Sequence, residues 1–155
     1  MKIIRSLGAI VLASAAVATT ASAEERGYSA LLCSVSASSN VVRTYLGLET
    51  GTPASAHAFC GAAPIVGADV NRIQATVFDR NHTDNLCCTM SVVTADSFAI
   101  ATASRCTSDS TDSQLLTFIP PVNVAGSVHL QCTIPGLDFM GGVSRIATYR
   151  VRSTP

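Results

Sequence analysis

Three histidines, His57, His82 and His129, are the only imidazoles in this chain, so proton transfer or metal ligation by a ring nitrogen has three places to occur. His129 sits in Val128-His-Leu-Gln-Cys-Thr-Ile134, where alternation puts it on the polar face beside Gln131 and Thr133. If that face neighbours Arg150, then His129, Gln131 and Arg150 form a small polar patch able to hold a ligand. An ordinary solvated strand face is the simpler reading of the same pattern. A nearby carboxylate would instead turn His129 into the general base of a secreted hydrolase or lyase.

The most polar loop is Asp79-Arg-Asn-His-Thr-Asp-Asn85. Asp79, Asn81 and Asp84 there could supply hard oxygen ligands to Ca²⁺. The stretch lacks the central Gly and terminal Glu of the twelve-residue calcium loop, and Asp and Asn are also the usual turn formers. Asn81-His-Thr83 matches the glycosylation acceptor pattern. A Gly-x-Ser-x-Gly elbow, a zinc-protease helix motif and a phosphate-cradling glycine loop are all missing, which argues against an enzyme.

Thiol chemistry is the remaining candidate. The six cysteines, Cys33, Cys60, Cys87, Cys88, Cys106 and Cys132, form no Cys-x-x-Cys pair, so neither a zinc ribbon nor a redox dithiol is indicated. An even count points to structural bridges, an expectation for an oxidising compartment. Cys87 and Cys88 are adjacent in Leu86-Cys-Cys-Thr-Met-Ser-Val92, which reads as a strand, so their side chains leave opposite faces and need separate partners. A bridge between the two neighbours would strain the backbone, because their Cα atoms are only about 3.8 Å apart. Facing favours Cys88–Cys132, which would cross the core, and Cys87–Cys106 at the base of a hairpin turning at residues 94–97. Cys33–Cys60 is left over. Sequence alone does not dictate this connectivity.

The elements that must position these groups are strands. Apolar residues recur with period two at 29–37, 41–47, 73–78, 86–93, 98–103, 114–119, 128–134 and 144–152. About eight short strands of this kind predict an all-β antiparallel sandwich, jelly-roll-like or immunoglobulin-like, stapled by disulfides. One turn of helix at 52–59 is the most the sequence offers, and long loops are expected at 49–58, 79–85, 105–113 and 135–143.

Residues 1–23 carry a basic start, an apolar run of about 12 residues and the small-residue site Ala21-Ser-Ala23, the pattern of a secretory signal peptide. The run is shorter than the roughly 20 residues of a spanning helix, so no membrane span is expected after cleavage. Residues 24–155 then form a single domain, secreted or periplasmic. Its eight arginines face ten acids with no lysine, which excludes a basic surface for nucleic acid.

The order Gly27-Tyr-Ser…Cys33, Phe59-Cys60, Phe78-Asp79, Leu86-Cys-Cys-Thr-Met90, Cys132-Thr-Ile-Pro135 and Tyr149-Arg-Val151 resembles a group of uncharacterised secreted bacterial β-sandwich proteins with paired cysteines. The resemblance implies export, β architecture and bridged thiols, and no activity. The expected role is therefore a non-enzymatic exported protein that binds a glycan, an envelope component or a protein. A module whose work is simply to persist outside the cell is a further possibility. Scarce aromatics, with no Trp and three Tyr, weigh against a sugar platform, though Ca²⁺ and hydrogen bonds could serve in its place.

Overall fold

The computed structural model describes residues 23–36, 40–62, 69–93, 99–108, 112–120 and 127–154. All but the last residue of the signal peptide expected at 1–23, and the hairpin turn expected at 94–97, lie outside them. The described chain is nearly all β, as the alternation predicts. Its strands are β1 (Glu24–Ser29), β2 (Ser34–Val35), β3 (Val41–Thr44), β4 (Gly47–Thr50), β5 (Ala56–Ala62), β6 (Asp69–Phe78), β7 (Cys87–Val93), β8 (Ala99–Cys106), β9 (Ser113–Phe118), β10 (Ser127–Ile134) and β11 (Arg145–Thr154). All pairings are antiparallel. One sheet runs β3-β4-β11-β6-β9 with β1 also on β11, and the other runs β2-β5-β10-β7-β8.

The inward sets of the two sheets meet in one apolar core. From the second sheet come Ala58 and Cys60, Cys88, Met90 and Val92, and Leu130, Cys132 and Ile134. The first contributes Leu48, Ile73, Ala75, Val77, Leu116, Phe118, Ile146, Tyr149 and Val151. Tyr149 stacks on Tyr28 with ring centroids 5.0 Å apart. Its hydroxyl crosses to the other sheet and donates to the Gly61 carbonyl at 2.7 Å. Burial there raises the Tyr149 phenol above its ordinary pKa, with the neighbouring Tyr28 adding to the effect.

Three local readings change. The alternation at 29–37 is not one strand: after β1 the chain makes a 3-10 turn at Ala30–Leu32, capped by Ser29 Oγ, and resumes as β2 in the opposite sheet. Leu32 is consequently 71% exposed. The segment expected to form a helical turn at 52–59 passes instead through bends into β5. In β11 a register shift between Ile146 and Thr148 inserts one residue, so Ile146 and Tyr149 both face the core despite their odd spacing.

The three disulfides are Cys33–Cys60, Cys87–Cys106 and Cys88–Cys132, and the described residues contain no free thiol. None of them crosses the core. Cys88 lies directly opposite Cys132 on the adjacent strand, and Cys87 directly opposite Cys106, so both bridges run sideways within one sheet. Cys33 precedes Ser34, the partner of Phe59, and so reaches Cys60 in the same lateral manner. The adjacent cysteines do face opposite ways: Cys88 is fully buried, whereas Cys87 looks outward and pairs with the exposed Cys106.

Candidate functional site: the outer face of the cysteine-laced sheet

Alternation turns His57, Phe59 and Gly61 of β5 outward, together with His129, Gln131 and Thr133 of β10 and Thr89 and Ser91 of β7. Register then aligns them in rows across the strands. Ser34, Phe59, Gln131, Thr89 and Ser104 make one row; Gly61, His129, Ser91 and Thr102 make the next. Successive rows are about 7 Å apart, two residues of strand rise. Thr89 and Ser104 share a 2.8 Å hydroxyl hydrogen bond that fixes the far end of the first row.

A hollow of about 310 Å³ opens in this face, bordered by Ser34, Phe59, Gly61, Ser91, His129 and Gln131. Gly61 contributes to it. A Cβ placed there would meet nothing within 4 Å, so the missing side chain leaves room at the end of the second row. Phe59 borders the space, 42% exposed. Gln131 offers two donors and an acceptor, the Ser91 hydroxyl offers both roles, Ser34 Oγ, which donates to the Phe59 carbonyl at 3.3 Å, offers an acceptor, and His129 adds an imidazole. Among the described residues, no carboxylate and no arginine lines the hollow. Such a surface suits a ligand rich in neutral hydroxyls with an apolar face to lay on Phe59.

His129 and Gln131, expected together from the sequence, are together. Arg150 is not with them. It lies on β11 in the other sheet, exposed, with Nη1 3.3 Å from Glu25 Oε1. Alternation reports which way a residue faces but not which sheet it belongs to, and the two faces in question are the opposite outer surfaces of the sandwich. The carboxylate that a His129-based hydrolase would need is likewise not among the residues lining this hollow. Phe59, Gly61, Ser34 and Ser91 carry no signal in the sequence that marks them for a site. Phe59 alternates with His57 in a strand that reads as a possible helical turn, and a glycine on an outer face has no side chain to betray its role.

The expected calcium ligands occupy the end of the sandwich, where residues 51–55, 79–86, 107–108 and 135–144 converge. Asp79 is 3% exposed and fully engaged. One carboxylate oxygen accepts from Ser144 Oγ at 2.7 Å and the Asn81 amide at 3.2 Å. The other accepts from the Leu86 amide at 2.8 Å and from Thr107 Oγ1. Asn81 Oδ1 accepts from the amides of Thr83 and Asp84, both at 2.8 Å, while its Nδ2 donates to the Gly136 carbonyl at 2.8 Å. Asp84 is exposed. The Asp79 oxygens therefore tie loops to one another, the Asn81 oxygen braces its own loop, and no group of three His, Cys, Asp or Glu side chains among the described residues is placed to hold a metal ion.

One histidine does contact a carboxylate here. His82 Nδ1 lies 2.5 Å from Asp138 Oδ2, with the His82 side chain 47% and the Asp138 side chain 1% exposed. That hydrogen bond, with backbone amides from Gly142, His82 and Met140, lowers the Asp138 carboxyl to about 2.

No protein-family profile matches this chain, and no curated protein sequence matches it. Solved structures do. The CBM36-1 domain of a multidomain xylanase from the hindgut metagenome of Trinervitermes trinervoides superposes with a TM-score of 0.50 at 6% identity, covering 83% of this chain and 96% of that one. A low-affinity xylan-binding module, CBM86, from the gut symbiont Roseburia intestinalis reaches 0.47 at 11% identity, covering 84% and 96%. A CBM36 module in complex with calcium and xylotriose reaches 0.49 at 7% identity, covering 81% and 98%. At such identities the likeness is one of fold: the chain shares a β-sandwich architecture with the CBM36-1 domain.

Proposed function

We propose that this chain is an exported, non-enzymatic carbohydrate-binding protein that takes a neutral glycan across the outer face of the cysteine-laced sheet. The observation that carries the reading is the hollow over Gly61, bordered by Phe59, Gln131, His129 and two serines and, among the described residues, lined by no carboxylate or guanidinium group. A shared fold with modules named for carbohydrate binding supports it. So does lateral bridging on both sides of the hollow, which holds the rows in place before a ligand arrives and lowers the entropy lost on binding. Cleavage after Ala23 would free Glu24 to begin β1, and three disulfides suit the periplasm or the exterior. No helix among the described residues is long and apolar enough to cross a membrane.

Affinity electrophoresis in gels containing soluble neutral polysaccharides, xylan and β-1,4-galactan among them, tests the proposal. Retardation in at least one gel is expected, weakened at least tenfold by Phe59→Ala or Gln131→Ala and unchanged by Arg150→Gln on the far sheet. Retardation that depends on Arg150 and ignores Phe59, or none in any gel, would contradict it.

A further inference from the structure

The three disulfides differ in what can reach them. Cys33 and Cys60 are 1% and 2% exposed, Cys88 and Cys132 are fully buried, and all four belong to the core. Cys106 is exposed and its partner Cys87 half-buried, on the outer side of the same sheet. β8, which carries Cys106, is the last strand of that sheet among the described residues. On the other side of Cys87 stands Thr133 of β10, its register partner, likewise turned outward. Thiol exchange requires a thiolate to attack one sulfur along the S–S axis while the other sulfur leaves. This bridge runs sideways from β7 to β8. Attack on Cys106 therefore comes from beyond the sheet edge, whereas attack on Cys87 must pass over Thr133.

Opening the bridge would leave the two strands joined. Beside it, the Thr107 amide donates to the Leu86 carbonyl at 2.9 Å, and the Leu86 amide donates to Thr107 Oγ1 at 3.0 Å and to the buried Asp79 carboxylate at 2.8 Å. Two residues along in the other direction, the Thr89 and Ser104 hydroxyls share their 2.8 Å hydrogen bond. Pleating also guards against scrambling. Cys87 and Cys88 leave opposite faces, so a thiol freed on the outer side reaches no buried sulfur without crossing the sheet.

We propose that Cys87–Cys106 is a reducible latch on the edge strand, a site of reversible exchange with a low-molecular-weight dithiol that opens at Cys106 while the other two bridges stay closed. One thiolate of the dithiol bonds to Cys106 Sγ, the Cys87–Cys106 bond breaks, and Cys87 leaves with the electron pair and takes a proton from water. The second thiolate of the same molecule then attacks the dithiol sulfur of the mixed disulfide, and Cys106 leaves and is protonated in turn. The dithiol gives up two electrons and closes as a disulfide; the protein gains two thiols. With no Cys-x-x-Cys pair in the sequence, the chain is the substrate of this exchange and not its catalyst. The latch involves none of the residues bordering the hollow over Gly61, so it stands or falls apart from glycan binding.

Pulsed alkylation of the folded, fully oxidised protein tests the latch. The protein is incubated with dithiothreitol, quenched with iodoacetamide at intervals, and the labelled cysteines are assigned by tandem mass spectrometry. Cys87 and Cys106 should be labelled together, at least tenfold faster than the other four. Before alkylation, the amide spectrum of the ¹⁵N-labelled two-thiol form should change only around residues 85–89 and 104–108, and removing the reductant in air should restore the original spectrum. The double variant Cys87→Ser with Cys106→Ser should fold and take up no label at the same dithiothreitol concentration. Labelling of all six cysteines at one rate, earlier labelling of Cys33 and Cys60, or no labelling short of unfolding would overturn the proposal. A double variant that fails to fold would make the bridge a structural staple and overturn it as well.

Discussion

The two sheets of the sandwich share one core but are reinforced in different ways. Every disulfide lies in the β2-β5-β10-β7-β8 sheet, where bridges join β2 to β5, β7 to β10 and β7 to β8. The sheet centred on β11 has none, and its outer surface is charged. Glu25 reaches Arg72 at 3.4 Å and Arg150 at 3.3 Å, Arg145 reaches Glu49 at 3.7 Å, and the Arg145 guanidinium sits 4.2 Å from the centre of the Phe78 ring. Among the described residues of the bridged sheet's strands, Arg105 is the one that is charged. Covalent clamps let a sheet dispense with ion pairs, leaving an outer face of Ser, Thr, Gln, His and Phe. A charged face would hold its own water and counterions; this one is both neutral and braced, the combination that a weakly polar, hydroxyl-rich ligand requires.

The contrast can be broken from either side. Replacing Cys88 and Cys132 together by Ala removes a bridge closing 44 residues, which the loop-entropy relation values at about 4 kcal/mol. Urea unfolding of the double variant should show a larger loss than any surface substitution on either sheet, with the m-value raised by a more open denatured chain. On the other sheet, Glu25→Gln removes two exposed ion pairs at once, yet surface pairs contribute only about 0–1 kcal/mol. Its expected cost is below about 0.5 kcal/mol in low salt and vanishes at about 1 M salt, where screening acts within about 3 Å. A Glu25 variant as damaging as the cysteine pair would mean that the charged sheet, not the bridged one, holds the sandwich together.

Much of this arrangement was legible in the residues, and the gaps have physical causes. Facing within a strand follows from pleating, so the inward Cys88 and outward Cys87 could be sorted and given partners. The same logic placed His129 beside Gln131. What pleating does not encode is sheet membership. The switch at Ser29–Cys33 depends on a hydroxyl cap and a single 3-10 turn inside an unbroken alternation, and Arg150 fell on the far surface for the same reason. The bulge at Ala147 defeats parity counting in β11, because the extra residue is visible only once β6 is beside it. Loops were expected at 49–58, 79–85, 105–113 and 135–143; residues 49–50, 56–58 and 105–106 prove to be strand, 109–111 lie outside the described residues, and the convergence of the rest was not foreseen. It rests on Asp79, whose acidic side chain in a polar loop reads equally as a metal ligand or, as it proves to be, as a buried acceptor for four donors.

The central claim, that a neutral glycan lies over Gly61 on the bridged sheet, is most directly tested by filling the space. In Gly61→Val the new side chain starts from a position with no atom within 4 Å, so thermal stability should hold or rise slightly in a strand that favours β-branched residues. Calorimetric titration with whichever neutral oligosaccharide the wild-type chain binds should then show affinity reduced at least tenfold at unchanged stability. Undiminished affinity in a folded Gly61→Val protein would contradict the account.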